Sequence, residues 1–199
     1  MNLIQYQQKA ELGDSGSFTM TIYEDGTMDS KADIKLADQL FSPNTTRKYH
    51  LHSGFLRNGA TFGAKPEETQ DVCGPTFTLG HYDPFVACGP ASTAKSDAPE
   101  GTGCAPDENY CSVKSDSVLV NGQAVGACEV GDLSGCFGPL PTENDFIITE
   151  EGVGCPGCYE DYVGTDEDSS EEGASYKTWG SIVFHNGSPR VLCGNLVEV

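Results

Sequence analysis

Basic residues are scarce in this sequence. Its 199 residues include 11 Lys and Arg against 30 Asp and Glu, which gives a formal net charge of −19. So negative a surface repels phosphate backbones and anionic headgroups, which argues against nucleic acids and anionic membranes as partners. Long apolar runs are missing as well. Nothing approaches the ~20 apolar residues that a membrane-spanning helix requires, so we expect no membrane span.

The first residues, Met1–Gln5, lack the charged and apolar regions of a signal peptide. Cysteine, in contrast, is plentiful, with nine residues mostly in polar surroundings that contain Gly or Pro. This usage indicates an oxidising compartment and disulfide bonds. Asn44 and Asn186 each begin a glycosylation sequon, although Pro189 disfavours use of the second. We therefore predict an extracellular protein, whose signal has been removed or which is part of a longer chain.

A helical period is also lacking, while Gly is abundant at 24 residues. The alternating run 17–23, an Asp25–Gly26 turn and a second run, 28–36, predict a β-hairpin. Residues 58–106 and the acidic stretch 150–173 are interpreted as long loops. Many short strands joined by turns are typical of a β-sandwich or barrel, and the length suits one domain over 1–199. Further strands are predicted at 49–55, 117–120, 146–149, 179–184 and 190–199.

Histidine is rare, and two of the four histidines, His50 and His52, stand two positions apart in a strand-like run. Residues i and i+2 of a strand point to the same face, so this pair can present two imidazoles to one metal ion. His81 lies in a tight polar turn, and His185 follows an apolar strand. A lone histidine more often has another role. The residues alone leave open whether all four share one ion.

Five short motifs occur in the order found in copper/zinc superoxide dismutases: Tyr-His-Leu-His-Ser-Gly at 49–54, Gly-His-Tyr-Asp-Pro at 80–84, Val-Gly-Asp-Leu-Ser-Gly at 130–135, Ile-Val-Phe-His at 182–185 and Arg-Val-Leu-Cys-Gly at 190–194. Through them the chain resembles this family from about residue 17 to its end. The resemblance implies a Greek-key β-barrel or sandwich with copper bound by His50, His52, His81 and His185. It also implies a disulfide between Cys73 and Cys193, and catalytic roles for His81 and for Arg190, which would guide the anion beside copper.

The chain departs from the zinc-containing enzymes at the zinc site. Of the four residues that hold zinc in that family, only His81 and Asp132 are present, and Gly89 and Glu129 stand in place of the others. The long charged loop that usually precedes the arginine is absent too. Both losses resemble the copper-only superoxide dismutases and the copper-only repeat proteins of animals. We therefore expect one copper and no zinc, in a single domain or in one repeat beside neighbouring repeats.

In the copper-only class a glutamate takes over from zinc. Glu129 would accept a hydrogen bond from one ring nitrogen of His81 and leave the other nitrogen for copper. Asp132 would brace another ligand or the loop. Without the resemblance, two solvated carboxylates would be the simpler interpretation in so acidic a chain.

The remaining cysteine pairings stay open, because connectivity cannot be deduced from a sequence. We consider Cys104–Cys111 and Cys128–Cys136 as pairs, with Cys88 as the candidate unpaired thiol. The Cys155–Cys158 motif favours a structural disulfide over a zinc or redox site. The acidic run 166–172 lacks the ligand spacing of a calcium loop, which favours a solvated loop.

The predicted function is that of a secreted copper-only superoxide dismutase. Two superoxide anions and two protons would give O₂ and hydrogen peroxide through a Cu(II)/Cu(I) cycle. One alternative is an extracellular copper-binding or copper-buffering module without turnover, and another is a structural extracellular domain. Arg190 favours the enzyme, since a pure copper binder has no need of it.

Overall fold

The computed structural model describes residues 3–24, 28–35, 37–57, 60–64, 72–82, 118–120, 123–125, 131–134, 138–153 and 180–199. Within these ranges the helices are short: α1 spans Ala37–Leu40, α2 spans Pro75–Thr78, and Gly13–Ser15 form a 3-10 turn. None of these helices is long and apolar enough to cross a membrane. The strands are β1 (Ile4–Glu11), β2 (Gly16–Tyr23), β3 (Met28–Ile34), β4 (Arg47–His52), β5 (Phe62–Ala64), β6 (Val118–Val120), β7 (Gln123–Val125), β8 (Phe146–Val153), β9 (Ser181–Asn186), β10 (Arg190–Asn195) and β11 (Val197–Glu198).

The strands form two antiparallel sheets and a separate hairpin. The first sheet has the order β11-β1-β2-β3-β8, the second has the order β4-β9-β10-β5, and β6 pairs with β7. The chain enters the second sheet at β4, returns to the first at β8 beside β3, and crosses back at β9 beside β4. The predicted all-β class is confirmed, and within the described ranges the sheets do not close into a barrel.

The core lies between the two sheets, because side chains of a strand alternate between its faces. Phe18, Met20 and Ile22 project into it from β2, and each is no more than 6% exposed. Ile182 and Phe184 of β9 belong to the same buried cluster. Removing this apolar surface from water contributes roughly 25 cal/mol per Å², which makes the sandwich core the main stabilising feature of the fold.

Strand β4 has a core face and a functional face. Tyr49 and Leu51 pack into the core, where both are at most 1% exposed. The intervening His50 and His52 therefore lie on the outer face of the second sheet. On the adjacent strand β9 the same alternation places His185, which follows the core residue Phe184, on that outer face. The sheet itself brings the three imidazoles to one side.

A smaller apolar cluster covers part of this outer face. It consists of Leu56, Cys73, Val183 and Cys193, with Val72 packed against it. Cys73 and Cys193 form a disulfide with Cα atoms 6.1 Å apart and a sequence separation of 120. The predicted pairing is confirmed, and it ties residues 72–82 to β10.

Some strand boundaries differ from the sequence prediction. Strand β1 was not predicted, because the buried Gln8 interrupts the apolar alternation that would have marked it. Strand β5 lies inside the stretch interpreted as a loop, and β8 continues to Val153, into the predicted acidic loop. Strand β4 ends at His52, where Ser53 and Gly54 turn to pair with residues 78–80. The predicted hairpin of β2 and β3 is confirmed by their antiparallel register, while its Asp25–Gly26 turn lies outside the described residues.

Candidate metal site

Three histidines converge on the outer face of the second sheet. His50 and His52 come from β4, and His185 comes from β9, the strand that pairs with β4. Each can offer a ring nitrogen such that the three nitrogens lie within 4.8 Å of one another. The three side chains are close enough to bind a metal ion, for which imidazole nitrogen is a common ligand.

Each of these rings has one nitrogen beside a hydrogen-bond acceptor and one without a partner. The unpartnered atoms are buried: Nδ1 of His50, Nε2 of His52 and Nε2 of His185. A neutral imidazole that donates through one nitrogen carries a lone pair on the other. Each of the three rings thus leaves one nitrogen available to a metal ion. The acceptors are the Leu79 carbonyl, 2.9 Å from Nδ1 of His52, the Ser188 carbonyl, 3.3 Å from Nδ1 of His185, and Oδ1 of Asp132, 3.4 Å from Nε2 of His50.

Burial keeps these imidazoles neutral. It is the main reason that the pKa of His185 is lowered to about 3, with neighbouring His50 adding to the shift. Burial also lowers the pKa of His52 well below its ordinary value, and the positive charge of Arg190 lowers it further. The pKa of His50 is lowered by burial too, although its contact with Asp132 partly opposes the shift. Near pH 7 these three imidazoles are uncharged, which is the form that binds metal.

His81 lies directly beside this group. It forms an isolated antiparallel bridge with His52. Its ring centroid is 4.1 Å from that of His50 and 5.4 Å from that of His52. The structure therefore brings all four predicted ligands into one cluster. The nitrogens within 4.8 Å of one another belong to His50, His52 and His185, and the role of His81 as a fourth ligand stays a prediction.

Asp132 reaches His50 because its segment is docked along β4. The carbonyl of Gly131 accepts from the N–H of Leu51 at 2.9 Å. Ser134 Oγ accepts from the main-chain N–H of the residue before His50 at 2.7 Å. A Cβ at position 131 would lie 2.3 Å from the Leu51 carbonyl oxygen, so only glycine fits there. The predicted bracing role of Asp132 stays a prediction, and its carboxylate stands in contact with one of the three histidines.

Arg190 lies opposite His185 in the pairing of β10 with β9, and a β-bulge separates Arg190 from Leu192. Leu192 faces the core and Cys193 faces outward, so strict alternation would turn Arg190 toward the core. The bulge adds one residue, and this returns the side chain of Arg190 to the outer face of the sheet, where the histidines lie. Burial lowers the pKa of Arg190, yet an arginine stays cationic at neutral pH. A fixed positive charge therefore stands beside the cluster.

Residues 73–79 hold the guanidinium of Arg190. It donates to the carbonyl of Cys73 at 2.9 Å, to the carbonyl of Leu79 at 3.0 Å and to the hydroxyl of Thr78. The acceptor carbonyls of Cys73, Leu79 and Ser188 were missed by sequence reasoning. Every residue carries a carbonyl, so no residue type marks the ones that a fold will use.

Several sequence predictions lie outside the described residues and stay predictions. They concern the glutamate that would hold His81, the residue in place of a zinc histidine, the other cysteines and the acidic run. The positions are Glu129, Gly89, Cys88, Cys104, Cys111, Cys128, Cys136, Cys155, Cys158 and 166–172.

No protein-family model, curated protein or solved structure matches this chain. Its class is therefore defined by its own fold and site. In the part of the chain that the structure describes, it is a β protein with two antiparallel sheets, and a disulfide lies beside three histidines that are close enough to bind a metal ion.

Proposed function

We propose that this chain is a secreted copper-only superoxide dismutase. The observation that carries the proposal is the combination of three neutral imidazoles, each with a bare nitrogen, and one cationic guanidinium on the same face of a sheet. The imidazoles suit a redox metal, and the guanidinium suits a small anion. A site that only stores metal has no use for the guanidinium.

Copper is the metal that fits this set best. Imidazole binds copper, zinc, iron and nickel, and four imidazoles in tetragonal geometry favour Cu(II). His50, His52 and His185 would hold it, with His81 as the fourth ligand. Copper bound there would supply one-electron chemistry between Cu(II) and Cu(I). With all four histidines of the chain in one cluster, none remains for a histidine-based zinc site.

The strand order supports the proposed Greek-key relationship to superoxide dismutases. Strands β3 and β8 are neighbours although four strands separate them in sequence, and β4 and β9 are neighbours in the same way. Such crossings between two sheets are typical of Greek-key sandwiches. The disulfide supports the proposed extracellular location, since disulfides persist in oxidising compartments.

The exposure of the cluster indicates where an anion would approach. His50, His52 and His81 are no more than 8% exposed, whereas His185 and Arg190 are partly exposed. Superoxide would therefore enter beside these two residues. The guanidinium, fixed by residues 73–79, would attract the anion and orient it by charge-assisted hydrogen bonds. Protons for hydrogen peroxide would come from water at this open side.

Metal reconstitution followed by an activity assay tests the proposal. Protein loaded in the presence of copper and zinc should contain about one copper and no zinc per chain, and should consume superoxide catalytically. His50→Ala should lose copper. Arg190→Ala should keep copper and lose most of the activity. Arg57→Ala is the matched control, because it removes the same charge from an exposed arginine stacked 6.0 Å from the Phe77 ring.

The outcomes separate the candidate functions. Copper bound without superoxide consumption would support a copper-buffering module and overturn the enzyme. Equal loss of activity in Arg190→Ala and Arg57→Ala would assign the effect to overall charge. A chain that binds no copper would exclude both metal functions and leave a structural extracellular domain.

A further inference from the structure

Leu79 has an unusual backbone. Its φ is 59° and its ψ is −150°, a conformation at positive φ that residues other than glycine rarely adopt. It directly follows helix α2, and its N–H donates to the carbonyl of Pro75 at 3.1 Å. Such strain persists only where the surroundings determine the conformation.

Hydrogen bonds on both sides of Leu79 determine its backbone conformation. The carbonyl of Thr78, just before it, accepts from the N–H of Gly54 at 3.0 Å, and the carbonyl of Gly80, just after it, accepts from the N–H of Ser53 at 3.2 Å. Both donors directly follow β4, so the two anchors fix residues 78–80 against the end of the strand that carries His50 and His52. The carbonyl of Leu79 therefore lies between two hydrogen-bonded carbonyls of the same segment.

The consequence is that the Leu79 carbonyl points at the site. Its oxygen lies 2.9 Å from Nδ1 of His52 and 3.0 Å from Nη2 of Arg190. Because a carbonyl only accepts, both nitrogens must donate to it. His52 therefore carries its proton on Nδ1, and its buried Nε2 is left bare.

We propose that Leu79 is a positioning residue whose main-chain carbonyl, held in place by the backbone conformation at this position, sets the tautomer of His52 and fixes Arg190 at a defined place beside it. One main-chain oxygen thus couples a metal ligand to the cationic side chain. The inference about Arg190 rests on the proposed function. The inference about His52 needs only the three-histidine site, and it holds whichever metal binds there.

The direct test is the tautomer of His52 in the metal-free protein, read from the ¹⁵N chemical shifts of its ring. Four histidines in the chain make assignment by single substitutions practical. We expect the Nδ1–H tautomer at His52. The Nε2–H tautomer in the unmodified protein would overturn the proposal, and this measurement involves neither copper nor superoxide.

Substitutions at position 79 distinguish the contribution of the main-chain carbonyl from that of the leucine side chain. Leu79→Gly keeps the carbonyl and accepts the positive φ without strain, so the tautomer and metal affinity should stay unchanged. Leu79→Val places a β-branched residue at positive φ, which displaces the carbonyl. We expect a mixed His52 tautomer and a metal affinity that is about 10–100-fold lower. Phe55→Val is the matched control, since Phe55 is 49% exposed and Leu79 is 47% exposed.

Two results would contradict this mechanism. If Leu79→Gly shifts the tautomer as Leu79→Val does, the side chain and not the carbonyl positions the site. If Leu79→Val leaves both tautomer and affinity unchanged, the carbonyl has no positioning role. If Leu79→Val does not fold, Leu79→Ala takes its place. Retention of the Nδ1–H tautomer of His52 in both the Ala and the Gly variant would support positioning by the main-chain carbonyl. Loss of that tautomer in Leu79→Ala would exclude it. If the unmodified protein carries the Nδ1–H tautomer at His52 but does not consume superoxide when loaded with copper, that result would count against the proposed function and not against the role of Leu79.

Discussion

At the scale of single residues, the site depends on which nitrogen of each ring is left bare. His52 and His185 leave Nε2 bare because carbonyls accept from Nδ1, whereas His50 leaves Nδ1 bare because Asp132 stands at its Nε2. The two rings on β4 would therefore bind a metal ion through different atoms, His50 through Nδ1 and His52 through Nε2. The acceptors around the histidines determine the geometry of the ligand set as much as the histidines do.

Replacing Asp132 tests this dependence. Asp132→Asn keeps the size of the side chain and removes the charge that favours an N–H on Nε2 of His50. Metal affinity should fall by about 10–100-fold, measured by competition with a chelator of known affinity. Asp14→Asn, in an exposed turn, removes the same charge and should leave the affinity unchanged. Equal affinity in both variants would show that the carboxylate does not hold His50.

At the scale of elements, β4 is an edge strand of the second sheet and is held at its start by Arg47. This arginine is only 6% exposed. Its Nη1 donates to the carbonyls of Pro141 at 2.9 Å and Glu143 at 2.8 Å, and its guanidinium lies 5.0 Å from the ring centroid of Phe41. These contacts join the strand that carries two histidines to the loop before β8.

Arg47→Ala should therefore destabilise the fold strongly. It removes two charge-assisted hydrogen bonds and leaves two carbonyls without that donor, so we expect a loss of about 3 kcal/mol in unfolding free energy. Chemical denaturation measures it. Lys48→Ala, on the exposed neighbour in the same strand, is the control and should change stability by less than about 0.5 kcal/mol. Similar losses in both variants would contradict a special role for Arg47.

The disulfide joins two further elements, residues 72–82 and β10. Its sequence separation of 120 closes a long loop in the unfolded chain. Removing it in a Cys73→Ala, Cys193→Ala double variant should lower the unfolding free energy by about 4–5 kcal/mol on the chain-entropy account. The same variant should bind metal more weakly, because the segment that holds His52 and Arg190 loses its tether. A stability loss below about 1 kcal/mol would show that hydrogen bonds alone hold the segment.

At the scale of the whole molecule, the charge of −19 opposes the approach of an anionic substrate. Added salt screens this repulsion, since the Debye length falls to about 10 Å at 0.1 M. If the chain consumes superoxide as proposed, its rate should rise or barely change with ionic strength. Pulse-radiolysis kinetics across a salt series measures this. A strong fall in rate would mean that a local positive field steers the anion.

The three histidines with lowered pKa values make the stability of the metal-free protein depend on pH. In the folded state the pKa of His185 is about 3, and those of His50 and His52 are lowered as well, whereas unfolded histidines titrate near 6.5. Between these values the unfolded chain binds protons that the folded chain does not, so stability falls as pH decreases below about 6.5. Above about pH 6.5 these three histidines do not make the stability depend on pH.

Thermal unfolding of the metal-free protein at about pH 7.5 and about pH 5 tests this, because most carboxylates are still ionised at both. The midpoint should be lower at the acidic pH. His185→Gln should show a smaller decrease, since it lacks one of the responsible groups. An unchanged midpoint over this window would mean that the folded cluster takes up protons as readily as the unfolded chain.

The order of neighbouring residues in the sequence determined a large part of the site. Period-two alternation in β4 placed His50 and His52 on one face, because Tyr49 and Leu51 had to be buried. The same alternation on β9 places His185 beyond Phe184. The all-β class followed from short alternating runs and turn residues. These features depend on neighbours in sequence, and so they could be predicted.

What only the tertiary structure decided depends on residues distant in the chain. The pairing of β4 with β9 places His185 beside His50 and His52, and the bulge in β10 turns Arg190 to the same face. The carbonyl of Leu79, a residue with positive φ, then contacts both His52 and Arg190. Register, bulges and main-chain direction are fixed by packing and hydrogen bonds across the fold, and a carbonyl looks the same in every residue. The sequence by itself therefore determined that these histidines can share a face, and the folded chain decided which nitrogens they present and what stands beside them.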